Sequence, residues 1–409
     1  MDVFGYLTPY VLEWLNLLVR WLHIITGIAW IGASFYFVWL DNSIRPPAPG
    51  SELANKGVSG ELWAVHGGGF YNPQKYLVAP AQLPKELHWF KWEAYSTWLS
   101  GFALLTIVYY LNAQAMMVDH GVATLSSWQA VGIGLASLVV GWVVYDLLCK
   151  SKLGRHDLAF GVVMWLLLAG SAYVLTHLLS GRAAYIQVGA MIGTIMVANV
   201  AMVIIPGQRK MVNAMMAGQK PDPVYGIRGK QRSVHNNYFT LPVLFIMISN
   251  HYAMTYRSEH AWAVLAVIMA AGALIRHFFN LRHKGRIEWK YPAAGVALLL
   301  ALAVVLAPRP PAPTRPGADP AAQFAQVRTI LDQRCVGCHA AHPTQQGFST
   351  APAGVVLDDP HAISQNAPRI YQQAVQLKAM PLGNLTNMTD AERAQVAAWF
   401  ESGAKTGNQ

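Results

Sequence analysis

Cys335-Val336-Gly337-Cys338-His339 is the stretch on which the reading of the whole chain turns. Two thiols three positions apart, followed directly by an imidazole, are what a c-type haem requires: the cysteines add to the porphyrin vinyl groups as thioethers and the adjacent histidine becomes the proximal iron ligand. A structural zinc site needs a second ligand pair, and the one remaining cysteine, Cys149, lies far upstream. A redox disulfide has no use for His339. The motif predicts one covalent haem c on Cys335 and Cys338, with His339 on iron.

The sixth iron ligand is expected downstream, where Lys378-Ala379-Met380-Pro381 offers Met380 beside a stiff proline turn. Met388 is the rival, but it immediately precedes Thr389, which with Glu392 forms a capping box for a last helix bearing Val396, Trp399 and Phe400 on one face. Met388 therefore reads as a hydrophobic staple. His/Met ligation gives a fairly high potential, suited to carrying electrons rather than activating oxygen. Residues 321–409 form the expected small, class I-like cytochrome c domain, in which covalent haem supplies core that so short a chain lacks.

The remaining chain is of another kind. With 409 residues, 54% hydrophobic, 12% charged and 14 tryptophans, it is too apolar for a soluble enzyme. Eight apolar runs are long enough to cross a bilayer: 9–40, 95–118, 128–149, 158–179, 185–206, 238–256, 260–280 and 291–307. The predicted fold class is all-α, a membrane bundle of about eight helices over 1–307, a Pro-rich linker over 308–320 and the cytochrome domain. The first run, long and carrying Glu13 and Arg20, reads as a span rather than a cleavable signal.

Basic residues set the expected orientation. The odd-numbered connections hold Arg45, Lys56, Lys75, Lys85 and Lys91; Lys150, Lys152 and Arg155; Arg209, Lys210, Lys220, Arg228, Lys230 and Arg232; and Arg282, Lys284, Arg286 and Lys290. The even ones contribute only Arg182 and Arg257. The odd connections are thus expected in the cytoplasm, with both termini and the cytochrome outside, in the periplasm of a bacterial inner membrane. The net charge of +10 is a topology signal facing lipid, not a nucleic-acid footprint.

Ionisable groups inside spans are costly and mark function. Arg20, His23, Gly27, Trp30 and Ser34 share one face of the first span. His177, His251 and Arg276-His277 lie in later spans. Each reads either as a hydrogen-bonded bundle residue or as part of a site, and His23 with His251 or His177 is a candidate axial pair for a b-type haem. Arg20 suits a haem propionate, an anionic substrate or a snorkelling position. The long first connection contains His66-Gly67-Gly68-Gly69-Phe70, whose glycines allow close backbone approach to a flat ligand, and Leu87-His88-Trp89-Phe90-Lys91-Trp92-Glu93, aromatic enough for stacking or for an interfacial belt.

WLHIITGIAWIGASFYFVWLDN, ELWAVHGGGFYNPQKY with LHWFKWEAYSTWLSGF, HNNYFTLPVLFIMISNHY, and CVGCH with KAMPLGNLTNMTDAER together resemble the membrane-bound, cytochrome c-fused urate oxidases, or urate hydroxylases. The resemblance spans essentially the whole chain. It implies oxidation of urate to 5-hydroxyisourate, with oxygen from water and electrons passing through the cytochrome to a respiratory-chain acceptor, without hydrogen peroxide.

That reaction removes two electrons, whereas one haem accepts one at a time, so a second redox centre or rapid re-oxidation is required. Candidate bases for water are His66, His88 or Glu93 if the site is cytoplasmic, or His177 or His251 if it faces outward. Candidate cations for the urate monoanion are Lys75, Lys91 and Arg20. The competing reading is a membrane-anchored cytochrome c subunit that takes electrons from quinol or another dehydrogenase.

Overall fold

The structure is a computed structural model and describes residues 3–76, 80, 82–307, 319–345, 348 and 350–406. The fold is predominantly helical. Helix α1 (Val3–Ser43) leads into a connection with four short strands, β1 (Val58–Glu61), β2 (Ala64–His66), β3 (Gly69–Tyr71) and β4 (Gln74–Tyr76). Then follow α2 (Trp92–Leu105), α3 (Ser127–Lys150), α4 (Asp157–Thr176), α5 (Gly181–Ala198), α6 (Pro223–Ser249), α7 (Ala261–His283) and α8 (Lys290–Val305). The C-terminal part holds α9 (Pro320–Arg334) and α10 (Asp390–Glu401), with short helical turns between them.

Each of the eight apolar runs falls on a helix. Among the described residues, five helices are long and apolar enough to cross a membrane: Tyr10–Ser43, Ser127–Lys150, Asp157–Thr176, Gly181–Met216 and Ala261–His283. The fourth is α5 continuing through a wide turn at Asn199–Ile204. Helix α5 is the axis of the bundle, packed against α3, α4 and α6, and it buries residues on every side, including Tyr185, Gln187, Ile192 and Ile195. Helix α1 turns Leu17, Leu18, Trp21, Ile24, Ile25 and Ile28 outward, the face that lipid covers.

Small residues let these helices approach closely. A Cβ on Gly189 would lie 2.4 Å from Ile246, and one on Gly272 of α7 would lie 3.4 Å from the Pro242 ring of α6.

The structure differs from the sequence expectation in three places. Helix α6 starts at Pro223, not near 238, because Asp222 caps its N-terminus and proline suits the first turn. Arg228, Lys230 and Arg232 thus ride on a helix, and Arg232 is buried against Asp146 at 2.7 Å. The run expected at 95–118 is helical only to Tyr110, then breaks before a short helix, Ala113–Met116. Finally, the first connection contains strands. β2 and β3 form a hairpin closed by Gly67 and Gly68 at φ +57° and +81°, the positive angles a type I′ turn demands. The glycines serve the turn, and His66 sits exposed at its tip.

A second hydrophobic cluster lies wholly in the C-terminal part, built from Val327, Leu331, Ile363, Val396 and Trp399. Nearly all of the Pro-rich stretch 308–320 lies outside the described residues.

Candidate functional site

Helix α9 delivers the thiols. Its last residue is Arg334, and the chain turns at once: the Cys338 and His339 amides both donate to the Cys335 carbonyl, at 3.1 and 2.9 Å. That turn gathers two free thiols and an imidazole in five residues. Cys335 packs against the C-terminal core, and burial, with Cys338 beside it, pushes its thiol up to about 12. His339 Nδ1 donates to the Val355 carbonyl at 2.9 Å, leaving Nε2 as the lone-pair nitrogen; such a bond orients a metal-ligating imidazole. Among the described residues no group of three or more His, Cys, Asp or Glu could hold a metal ion, so the alternative of a zinc-type cluster at Cys335 lacks ligands. The donor set fits a covalent haem.

Met380 is held from both sides. Its amide donates to the Gln373 carbonyl at 3.0 Å, and its carbonyl accepts from Arg393 Nη1 at 2.8 Å. Arg393, only 6% exposed, also donates to the Ala374 carbonyl and to Asn384 Oδ1. Met388 is instead buried in the core with Val396 and Trp399, and Thr389 and Glu392 make the reciprocal capping box of α10.

The Met380 segment faces the helix bundle. A cleft of about 590 Å³ lies between them, lined by Arg182, Asn250, His251, Tyr256, Leu306 and Met380 among others. Arg257 bridges its edge, paired with Asp119 at 3.3 Å and donating to the Ala379 carbonyl at 3.3 Å. Gly383, at φ +56°, approaches so closely that a Cβ would lie 2.7 Å from the Val118 carbonyl oxygen.

The other sequence candidates are dispersed. His23 Nδ1 lies 3.1 Å from the Thr97 carbonyl and 3.2 Å from Ser100 Oγ, with its ring over Gly101, so it is bound to α2. His177 Nδ1 donates to the Tyr173 carbonyl of its own helix at 2.7 Å, and its ring is exposed. His251 is exposed on the outer cleft. Each of the three thus has surroundings of its own among the described residues. Arg20 donates to Asn16 Oδ1 at 2.9 Å. His88 is exposed against Phe90, whereas Glu93, in the first turn of α2, buries a carboxylate oxygen that has no hydrogen-bond partner. Lys75 pairs with Asp41, which Lys230 also reaches at 3.1 Å; burial and Lys230 hold its pKa below lysine's ordinary value. Lys91 lies over Trp92.

A further polar cluster, between the middle of α6 and the C-terminal half of α7, was invisible to spacing arguments. Arg276 Nε and Asn280 Nδ2 both donate to Asn237 Oδ1, at 2.9 and 3.0 Å, and Tyr238 Oη meets His277 Nδ1 at 2.6 Å. Asn236 joins Asn199 and the Met196 carbonyl on the opposite side of α6. The signal was His235-Asn236-Asn237-Tyr238, four consecutive polar or aromatic residues inside a long helix, which together serve every side of it.

The bundle thus has a buried polar interior and adjoins a unit that carries a thiol pair, an imidazole and a thioether. Residues 9–307 match the family model described as "Urate oxidase N-terminal", and the chain belongs to that family. The match stops before the C-terminal unit. No curated protein and no solved structure matches the chain.

Proposed function

We propose that the protein is a membrane-bound urate hydroxylase. Urate and water give 5-hydroxyisourate, two protons and two electrons, and the electrons leave through a c-type haem on the C-terminal unit to a respiratory-chain acceptor. The observation that carries this reading is the union, in one chain, of a urate oxidase-family membrane part with a turn that presents Cys335, Cys338 and an oriented His339. Eight spans, odd connections in the cytoplasm and the cytochrome in the periplasm complete the reading, supported by a helix on each apolar run.

Cys335 and Cys338 would hold the haem covalently, with His339 and Met380 as axial residues. When bound, the group supplies a one-electron acceptor of fairly high potential. Arg393 fixes the Met380 backbone, and Arg257 fastens the same segment to the bundle, so that Met380 stays on the cleft shared with α6. Of the candidate bases for a cytoplasmic site, His66, His88 and Glu93, the last is assigned to water activation: one of its carboxylate oxygens is buried without a hydrogen-bond partner, whereas His66 and His88 are exposed. Because His23 is held by Thr97 and Ser100 and His177 by Tyr173, re-oxidation between two one-electron steps is preferred to a b-type haem.

The test is anaerobic. Urate added to oxidised membranes containing the protein should reduce a c-type absorbance band and leave no b-type band reduced beforehand, and this reduction should vanish in His339→Ala. Absence of reduction by urate together with prompt reduction by a quinol analogue would move the protein to the electron-transfer class.

A further inference from the structure

Nine buried side-chain atoms among the described residues have no hydrogen-bond partner, and two of them, Arg276 Nη2 and His283 Nδ1, belong to residues that line one cavity, while Asn237 Nδ2 and Asn280 Oδ1 belong to the residues hydrogen-bonded behind Arg276. Orphaned buried polar atoms are rare because each forfeits its hydration. An unpartnered guanidinium nitrogen and an unpartnered imidazole nitrogen on one wall mark a place for a ligand.

The place is a cavity of about 350 Å³ lined by Phe35, Trp39, Leu241, Arg276, Phe279 and His283. Its volume lies at the small end for ligand sites, enough for a bicyclic ring and too little for a nucleotide. Arg276 is 5% exposed, and no carboxylate pairs with it among the described residues. A guanidinium buried in a membrane bundle without a counter-charge is costly, and a bound anion removes that cost. Phe35 lies face-on to the guanidinium at 4.1 Å, a flat apolar wall beside the charge.

Arg276 offers an unused N–H donor and His283 an unused ring nitrogen at the cavity wall, and Arg binds delocalised oxyanions in plane. Oxidised purines are flat fused rings that carry a single negative charge spread over their oxygens and nitrogens.

We propose that this cavity between α1, α6 and α7 binds the urate monoanion, with Arg276 as its counter-ion, His283 at its edge and Phe35 against its face. The inference rests on the urate hydroxylase reading and deepens it by placing the substrate on the side of the bundle away from the Met380 cleft.

The experiment measures radiolabelled urate binding to the full-length, detergent-solubilised protein by equilibrium dialysis, without an electron acceptor, alongside thermal unfolding. Arg276→Met should weaken binding by about 10- to 100-fold, the worth of a charge-assisted hydrogen bond. Asn280→Asp supplies an internal carboxylate beside Arg276, so it should raise the unfolding temperature while abolishing urate binding, and it remains informative should Arg276→Met fail to fold. Dithionite reduction of the C-terminal haem should be unchanged in both. Parental binding with both variants binding equally well overturns the site alone. Absence of urate binding by the parent overturns the site and the urate reading together.

Discussion

Gly383→Ala tests whether the seam between the Met380 segment and the helix bundle matters. Gly383 has φ +56°, where alanine costs roughly 1 kcal/mol more than glycine. The new Cβ would also lie 2.7 Å from the Val118 carbonyl oxygen and 3.2 Å from that of Ala115, both backbone atoms, and overpacking of this kind costs about 1–3 kcal/mol. The sum, about 2–4 kcal/mol, shifts the ratio of docked to undocked arrangements by about 30- to 1,000-fold. It exceeds what one charge-assisted bond from Arg257 to Ala379 can hold, about 1.5–3 kcal/mol at best and less at 3.3 Å. The assay compares two rates in rapid mixing: reduction by urate of the c-type haem proposed for the C-terminal unit, and its reduction by a small soluble reductant. Gly383→Ala should slow the first at least tenfold and leave the second alone. Gly383→Asn, which tolerates positive φ better but carries the same Cβ, should fall between alanine and the parent. Equal urate-driven rates in all three proteins would refute the claim that this contact governs transfer between the two parts.

Three further outcomes follow from the C-terminal unit and the bundle. Arg393→Met leaves the Ala374 and Met380 carbonyls without their buried donor and should destabilise the unit by about 3 kcal/mol or more, with loss of the methionine–iron absorbance band before loss of the covalent haem. Glu392 is held below the ordinary carboxylate range: burial opposes this, but hydrogen bonds from Thr389 and Arg334 outweigh it. Its contribution is therefore complete at neutral pH and is lost as pH falls through and below the ordinary carboxylate value, so acid melts of the parent should drop more steeply there than those of Glu392→Gln. Gly189→Leu places a side chain where a Cβ alone already meets Ile246 at 2.4 Å, and should prevent α5 and α6 from packing, read as loss of the folded membrane part in detergent.

The parts of the fold written in local chemistry were legible in the sequence. The apolar runs lie on helices, except that the one at 95–118 breaks after Tyr110; the capping box at Thr389 and Glu392 formed, and Met388 went into the core as the staple reading required. The start of α6 was missed because a search for apolar runs passes over a charged helical segment, although Asp222-Pro223 was the cap signal. His66-Gly67-Gly68-Gly69 was read for a ligand because glycine permits close approach as readily as it permits a turn, and pairing of Ala64–His66 with Gly69–Tyr71 depends on partners outside the motif. The Arg276 cavity was illegible for a deeper reason. Arg276 and His277 were conspicuous as intramembrane charges, but periodicity says which face a residue occupies and nothing about which of its atoms go unpaired. That requires Asn237, Asn280 and His283, from two helices, to be seen together.

Helix α6 carries Leu241 at the cavity and ends beside Asn250 at the cleft, nine residues and so about 14 Å along its axis. On the proposed reading, with the cavity toward the cytoplasm and the cleft toward the periplasm, each electron taken from urate would travel outward through roughly half of the hydrocarbon thickness, with the interior of the cell negative behind it. The membrane potential would then drive the transfer, by about 1 kcal/mol per electron for every 100 mV. Turnover would be electrogenic: it would spend part of the potential to make urate oxidation irreversible, and it should quicken in energised vesicles and slow when an ionophore collapses the voltage.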